Sequence, residues 1–378
     1  METLPLELLG AIALNLPIAD LRHFRLLGRR YADAGFPALV RELSFLNTLG
    51  TADALQTLSQ SPYGSLGAAR HLTIYDGAWP VAASKEEWAR HFLFLSRDRS
   101  PITLAYHRYE QFIRQEASRT FETDVHLFRT VLTHFPSLRE LTLSHIHAWR
   151  MRYLKNAHFR NLANSIRVIP SFESFVAKAI SRLLPALGTC SRLQRLNIDG
   201  LLDARDLALG RYKTIRQLCL NSVLAGEGLD DSIANFLGAF PGLTTLTIKT
   251  FPHGPIYNQR LPLQQMRWSD LQFCEIIGAS VPENELFNFT KRHPLKRLIL
   301  KQVTLTGGSW QSFFSRAREL KPRPNIVCQG ILPSDSQGWL FMKDIESQRL
   351  LDWFLTHAEF PWPFSDPNDD IPTLSLSP

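Results

Sequence analysis

Leu243-Thr244-Thr245-Leu246-Thr247-Ile248 is a phrase that the chain repeats. The same alternation of apolar and polar residues reads Leu138-Arg139-Glu140-Leu141-Thr142-Leu143, Leu193-Gln194-Arg195-Leu196-Asn197-Ile198 and Ile215-Arg216-Gln217-Leu218-Cys219-Leu220. It continues as Leu271-Gln272-Phe273-Cys274-Glu275-Ile276 and Leu295-Lys296-Arg297-Leu298-Ile299-Leu300, flanked by an early copy at His71-Leu72-Thr73-Ile74 and a late one at Asn325-Ile326-Val327-Cys328. Alternation over so few residues is the pattern of a short strand with one buried face. Between the second apolar positions, 196, 218, 246, 274, 298 and 326, the steps are 22, 28, 28, 24 and 28 residues. Such a period has room for one strand, one helix and two turns.

The intervals carry helical patterns. Phe175, Val176, Ala179, Ile180, Leu183, Leu184 and Leu187 form one apolar stripe, and Ile233, Phe236, Leu237 and Phe240 form a second. Trp310, Phe313, Phe314 and Ala317 form a third, with Ser309 placed as its N-cap after Gly307-Gly308. The expected fold class is α/β, with parallel strands on one face of a curved stack and helices on the other. One unit cannot bury its apolar face alone, so only the stack is stable.

These units resemble degenerate leucine-rich repeats. The strict family pattern has Asn or Cys three positions after the last strand leucine, satisfying backbone groups of the turn. This chain has Ile146, Leu201, Val223, Phe251, Ala279 and Val303 there. The asparagine ladder is missing.

The N-terminus is patterned differently. Leu4-Pro5-Leu6-Glu7-Leu8-Leu9 opens it, Ile12, Leu14 and Leu16 continue it, and after Pro17 come Asp20-Leu21, Phe24 and Leu27-Gly28-Arg29-Arg30-Tyr31. Pro5 suits a first helical turn. Leu8, Ile12 and Leu16 fall on one helix face at fourfold spacing, and Leu21, Phe24 and Leu27 make a second stripe. A stretch of about 40 residues is at the lower limit for independent folding, so it calls for a partner. The stretch resembles an F-box, with leucine and tyrosine in the places where the family usually has valine and tryptophan.

The resemblance implies a motif that docks on the Skp-type adaptor of a cullin-RING ubiquitin ligase, with the rest of the chain holding a protein substrate. F-box followed by repeats resembles the F-box/leucine-rich-repeat substrate receptors. Adaptor binding is then expected from Leu4, Pro5, Leu8, Ile12, Leu16, Leu21 and Tyr31. Substrate is expected along the outward strand positions Arg195, Asn197, Asp199, Gln217, Asn221, Lys249, Glu275, Arg297 and Lys301.

The expected division is 1–46 F-box, 47–134 first repeat and helical insertion, 135–330 irregular repeats, 331–360 C-terminal helical cap and 361–378 disordered tail. Two stretches interrupt the period. One, Trp79 to His134, is rich in aromatics and arginines, with helix expected over Tyr106 to Leu132; the other, Trp149 to Arg167, holds Arg150, Arg152, Lys155, Arg160 and Arg167 and no acid. The basic run reads either as a solvated loop or as a seat for an acidic or phosphorylated segment. Helix is expected again over Asp344 to His357.

The 378 residues are 44% hydrophobic and 20% charged, a folded and soluble composition. The net charge of +7 is spread along the chain, which argues against a nucleic-acid partner. Cys190, Cys219, Cys274 and Cys328 are far apart, as in a reducing compartment. No signal peptide or membrane span is read, so a cytoplasmic or nuclear location is expected.

Catalytic patterns are poor. His145 and His147 have no further ligand at metal spacing, Gly307-Gly308 lacks the lysine of a phosphate loop, and no cysteine has a histidine nearby in sequence. The chain is expected to be a non-enzymatic adaptor without a cofactor. Two alternatives remain open, a repeat scaffold with no ligase role and a hydrolase or metal enzyme hidden in the insertions.

Overall fold

The computed structural model describes residues 4–59, 66–90, 101–146, 157–170, 179–205, 207–226, 228–251, 259–334 and 338–342. The chain is α/β and divides into two compact units, Met1–Gly200 with Ala208–Gly210, and Leu201–Leu207 with Arg211–Pro378. The expected helix over 344–357, the tail 361–378, and Arg150, Arg152, Lys155 and His147 lie outside the described residues.

The first unit opens with three helices, α1 (Leu6–Leu14), α2 (Ile18–Leu26) and α3 (Arg29–Leu39). Four parallel strands follow in chain order, β1 (Glu42–Leu46), β2 (His71–Asp76), β3 (Glu140–His145) and β4 (Arg195–Asp199). β1 lies inside the stretch assigned to the F-box, so the sheet begins there. The register aligns Phe45, Ile74, Leu143 and Ile198 in one buried row. Glu42, His71, Glu140 and Arg195 align on the opposite face, as the period of two requires.

Between the strands lie α4 (Leu49–Ser59), α5 (Lys85–Arg90), α6 (Ile102–Ala117), α7 (Phe121–Thr133), α8 (Ala157–Ile166) and α9 (Ala179–Leu187). The helix expected over Tyr106 to Leu132 is two. Thr120 caps α7 by accepting from the Thr123 N–H while the Thr123 hydroxyl accepts from the Thr120 N–H, a reciprocal box that starts a new helix.

The two interruptions of the period pack on one another. Trp88, Ala105, Tyr109 and Phe112 of α5 and α6 share a buried cluster with Ile166 at the end of α8 and Val168 just past it. The Trp88 indole donates to the Ile166 carbonyl at 3.1 Å, and the Tyr109 hydroxyl donates to the Pro80 carbonyl at 2.9 Å. Phe159 and Ala163 of α8 pack with Leu46 at the end of β1, so this layer covers the C-terminal end of that strand.

In the second unit β5 (Gln217–Val223), β6 (Thr245–Thr250), β8 (Phe273–Ile277), β10 (Arg297–Lys301) and β12 (Asn325–Ser334) are parallel neighbours in that order. Short strands β7 (Gln259–Arg260), β9 (Ala279–Pro282) and β11 (Thr304–Thr306) pair beside them, and β13 (Gly338–Met342) runs antiparallel to β12. Helices α10 (Asp230–Gly238), α11 (Glu283–Arg292) and α12 (Trp310–Arg318) return the chain. Ser309 caps α12, accepting from the Ser312 N–H at 3.0 Å.

The missing asparagine ladder has a backbone substitute. Gly278, Gln302 and Gly330, each the first residue past Ile277, Lys301 and Gln329, have φ of +72°, +52° and +81°. The Gly278 N–H donates to the Lys301 carbonyl at 2.9 Å and the Gln302 N–H to the Gln329 carbonyl at 3.2 Å. At Gly278 and Gln302 a left-handed residue turns the corner and hands its donor to the next strand, with no side-chain amide.

His293 closes α11. One ring nitrogen bonds the Phe289 carbonyl at 2.8 Å and Nε2 accepts from the Trp268 N–H at 3.2 Å, an arrangement that requires the neutral imidazole. Burial pulls its pKa below 6.5, the Phe289 bond opposes this, and Arg292 adds to it. A depressed histidine stabilises the fold fully above its unfolded value, and that contribution is lost as pH falls through the lower folded value. Urea midpoints at about pH 7.5 and about pH 5.5 should therefore show an acid-side loss that His293→Gln reduces. An equal loss in both proteins would assign the acid sensitivity to other groups.

Candidate functional site

The N-terminal helices are apolar on more sides than they bury. Pro5 and Pro17 stand at the N-caps of α1 and α2, and Gly28, with φ +151°, turns the chain into α3. Leu9, Ala13, Leu21, Ala34 and Gly35 face inward. A Cβ on Gly35 would stand 2.7 Å from Arg25 Cγ and 3.3 Å from Leu21 Cδ1, so α2 and α3 approach closely because this residue has none.

Seven of the twelve exposed large apolar side chains among the described residues lie in this short stretch: Leu6, Leu8, Ile12, Leu14, Ile18, Leu26 and Leu27. Leu8 is 52% exposed and Ile12 43%. Of the other side chains expected to dock, Pro5 is exposed and Leu4, Leu16 and Tyr31 are half-buried, Tyr31 with its ring edge against Phe24 at 5.2 Å. Leu21 is a correction: at 3% exposure it belongs to the core of the three helices. The spacing gave its stripe but not which stripe α3 covers. Leu6, Leu14, Ile18 and Leu26 were missed because they lie off both stripes.

The outward strand positions expected to meet substrate fall in both units. In the first, Arg195 and Asn197 both reach Glu140, at 3.3 and 2.8 Å, and Glu140 also pairs with His71 at 3.4 Å. Asp199 accepts from the Ser144 hydroxyl at 3.2 Å. These polar groups largely satisfy one another. In the second unit Gln217 is half-buried and Asn221 exposed, with the Cys219 thiol against Asn221 at 3.4 Å. Lys249 and Arg297 are exposed, and Glu275 and Lys301 pair at 2.8 Å.

Beyond the C-terminal ends of β1 to β3 is a cavity of about 130 Å³, lined by Asn47, Asp76, Trp79, Glu116, His145 and Arg182 among others. Asp76 accepts from the Asn47 amide at 2.9 Å and from the Ala179 N–H at 3.3 Å. Behind it Arg119 bonds Asn47, Glu116 and Asp124, and Arg182 also bonds Asp124. Nothing local in the sequence assembles this group, whose members come from positions 47 to 182.

Among the described residues no cluster of three or more His, Cys, Asp or Glu could hold a metal ion. Burial pushes the Cys190 thiol up to about 11 and raises those of Cys274 and Cys328 as well, so none of the three is a ready thiolate. No described helix is long and apolar enough to cross a membrane. No protein-family model matches the chain and no curated protein sequence matches it, so its function rests on its residues and their geometry.

Proposed function

We propose that the chain is the substrate-recognition subunit of a Skp–cullin–F-box ubiquitin ligase. In this reading α1 to α3 are an F-box that docks on the Skp-type adaptor, and the strand, corner and helix units are degenerate leucine-rich repeats that hold a protein substrate. The observation that supports it is the exposure of Leu8 and Ile12, with Leu6, Leu14 and Ile18, on helices too short to stand alone. Burying a leucine or isoleucine side chain contributes about 1.5–3 kcal/mol, and such anchors dominate helical interfaces. The ligase gains rate by raising the local concentration of a substrate lysine near the charged enzyme, so no residue of this chain need touch the chemistry.

Capture on immobilised Skp-type adaptor tests it. The Leu8→Asp/Ile12→Asp variant should bind at least about a hundredfold more weakly, a loss of about 2.7 kcal/mol. Its circular dichroism should match the parent's, with a stability loss of about 1–3 kcal/mol from the half of each side chain that is covered. Failure of the unmodified protein to bind would overturn the ligase role and leave a repeat scaffold.

A further inference from the structure

The outward sheet face of the second unit differs from that of the first in how its charges are used. Its first row reads Gln217, Thr245, Phe273, Arg297 and Asn325 across the five strands. The second reads Cys219, Thr247, Glu275, Ile299 and Val327, and the third includes Lys249, Ile277, Lys301 and Gln329. Three cations, Lys249, Arg297 and Lys301, share these rows with one acid, Glu275, which Lys301 engages at 2.8 Å. Among the described residues Lys249 and Arg297 form no ion pair. Arg216 and Lys296, also exposed, stand at the entries to β5 and β10, with Asp270 in the turn before β8.

Two of the unit's described acids are engaged away from this face. Glu283 pairs with Arg316 and Glu285 with Arg260, both on α11. Among the described residues these three rows therefore carry a surplus of positive charge. At its centre, on the third of five strands, is Phe273, the only exposed large apolar side chain among the described residues of this unit, at 43%. Further along the same face Ile299, in the second row, and Ile277, in the third, are half-buried. An apolar centre with a charged surround is the anatomy of a protein-binding surface, and aromatic and arginine residues dominate such centres energetically.

We infer that this face binds an extended acidic peptide segment carrying an apolar side chain, which seats on Phe273 while carboxylates meet Lys249 and Arg297. The inference rests on the substrate-receptor reading and names the substrate's chemistry. From Lys249, in the third row of β6, to Arg297, in the first row of β10, is about 13 Å along the strands and about 10 Å across them, a diagonal of about five residues of extended chain that passes Phe273. Arginine and lysine favour carboxylates through charge-assisted bonds. A nucleic acid fits less well, because its bases stack on successive aromatics and the residues beside Phe273 are Thr245 and Arg297.

The test uses the full chain and an array of fluorescein-labelled octapeptides in which one leucine or phenylalanine is flanked by aspartate and glutamate. Controls carry lysine in place of the acids, or alanine in place of the apolar residue, and a mixed-sequence single-stranded RNA octamer is the nucleic-acid arm. Acidic peptides should bind, with affinity falling as salt rises. Lys249→Glu/Arg297→Glu should weaken binding at least about tenfold and flatten its salt dependence, whereas Phe273→Ala should weaken it without changing that dependence. Circular dichroism and adaptor capture, through helices remote in sequence, report that the variants are folded. Absence of binding by every acidic peptide, equal binding of the lysine controls, indifference to the charge reversal, or tighter binding of RNA would each overturn the inference. Loss of adaptor capture by the unmodified chain with peptide binding intact would instead remove the ligase reading and leave this site standing.

Discussion

Arg119→Met is expected to lower the unfolding free energy by about 3–5 kcal/mol, the usual cost of removing one member of a buried ion pair. The side chain is 6% exposed, in the break between α6 and α7. Its Nε donates to Asp124 Oδ1 at 2.7 Å, its Nη1 to Glu116 Oε2 at 2.7 Å and the Asn47 carbonyl at 3.0 Å, and its Nη2 to Asn47 Oδ1 at 2.8 Å. Burial pulls the guanidinium pKa down, but the bonds from Asp124 and Glu116 outweigh it and the net shift is upward, so the cation persists. Asp124 has no exposure and would be left with Arg182 alone.

Urea unfolding of three variants separates charge from packing. Arg182→Met should cost less than Arg119→Met, because Arg182 is 32% exposed and Asp124 keeps its better-buried partner. Arg119→Met/Asp124→Leu should recover part of the loss, since no charge is then stranded. A loss below about 1 kcal/mol in Arg119→Met would show that the cluster does not hold β1, α6 and α7 together.

Gly308→Ala is the second large effect, at about 2–5 kcal/mol from backbone strain and overpacking together. Gly308 has φ +139°, and a Cβ there would lie 2.1 Å from Glu283 Oε2 and 2.6 Å from Glu283 Cβ. Glu283 has nowhere to retreat. It is 5% exposed and accepts from the Ser309 N–H at 2.9 Å, the Ser312 hydroxyl at 2.8 Å and Arg316 Nη1 at 2.9 Å. Moving it unties the start of α12 from the start of α11. The adjacent Gly307 is the control: its φ is +62°, a Cβ would meet nothing within 4 Å, and its alanine variant should cost only about 1–2 kcal/mol. Equal denaturation midpoints for the two variants would remove the steric account.

The same pair of glycines shows how far local pattern carries. In sequence Gly307-Gly308 is a turn before a capped helix, and the Ser309 cap and the stripe of Trp310, Phe313, Phe314 and Ala317 stand as read. That one glycine is open and the other is pressed against a carboxylate 25 positions earlier follows only from packing. The corners past β8 and β10 are similar. The sequence shows no asparagine at the expected place, and the structure meets the backbone's demand with left-handed residues bonded to the next strand.

The N-terminal helices mark the other boundary. Their threefold and fourfold spacings were legible, but Leu21 and Leu8 look equivalent in a spacing argument, and one is core while the other is exposed. Helix was legible over Tyr106 to Leu132, but the packing of α5, α6 and α8 into one layer was not, because its contacts, such as Trp88 to Ile166, join residues 78 apart.

By itself the sequence determined the strands, their period and which side chains of each strand point together, because backbone geometry ties these to neighbours two to four residues away. The tertiary structure alone decided which apolar faces are covered, which charges are matched and which stay exposed. Those outcomes depend on distant segments competing for the same surface, as Asp124 shows by sitting between arginines from either side of it in the chain.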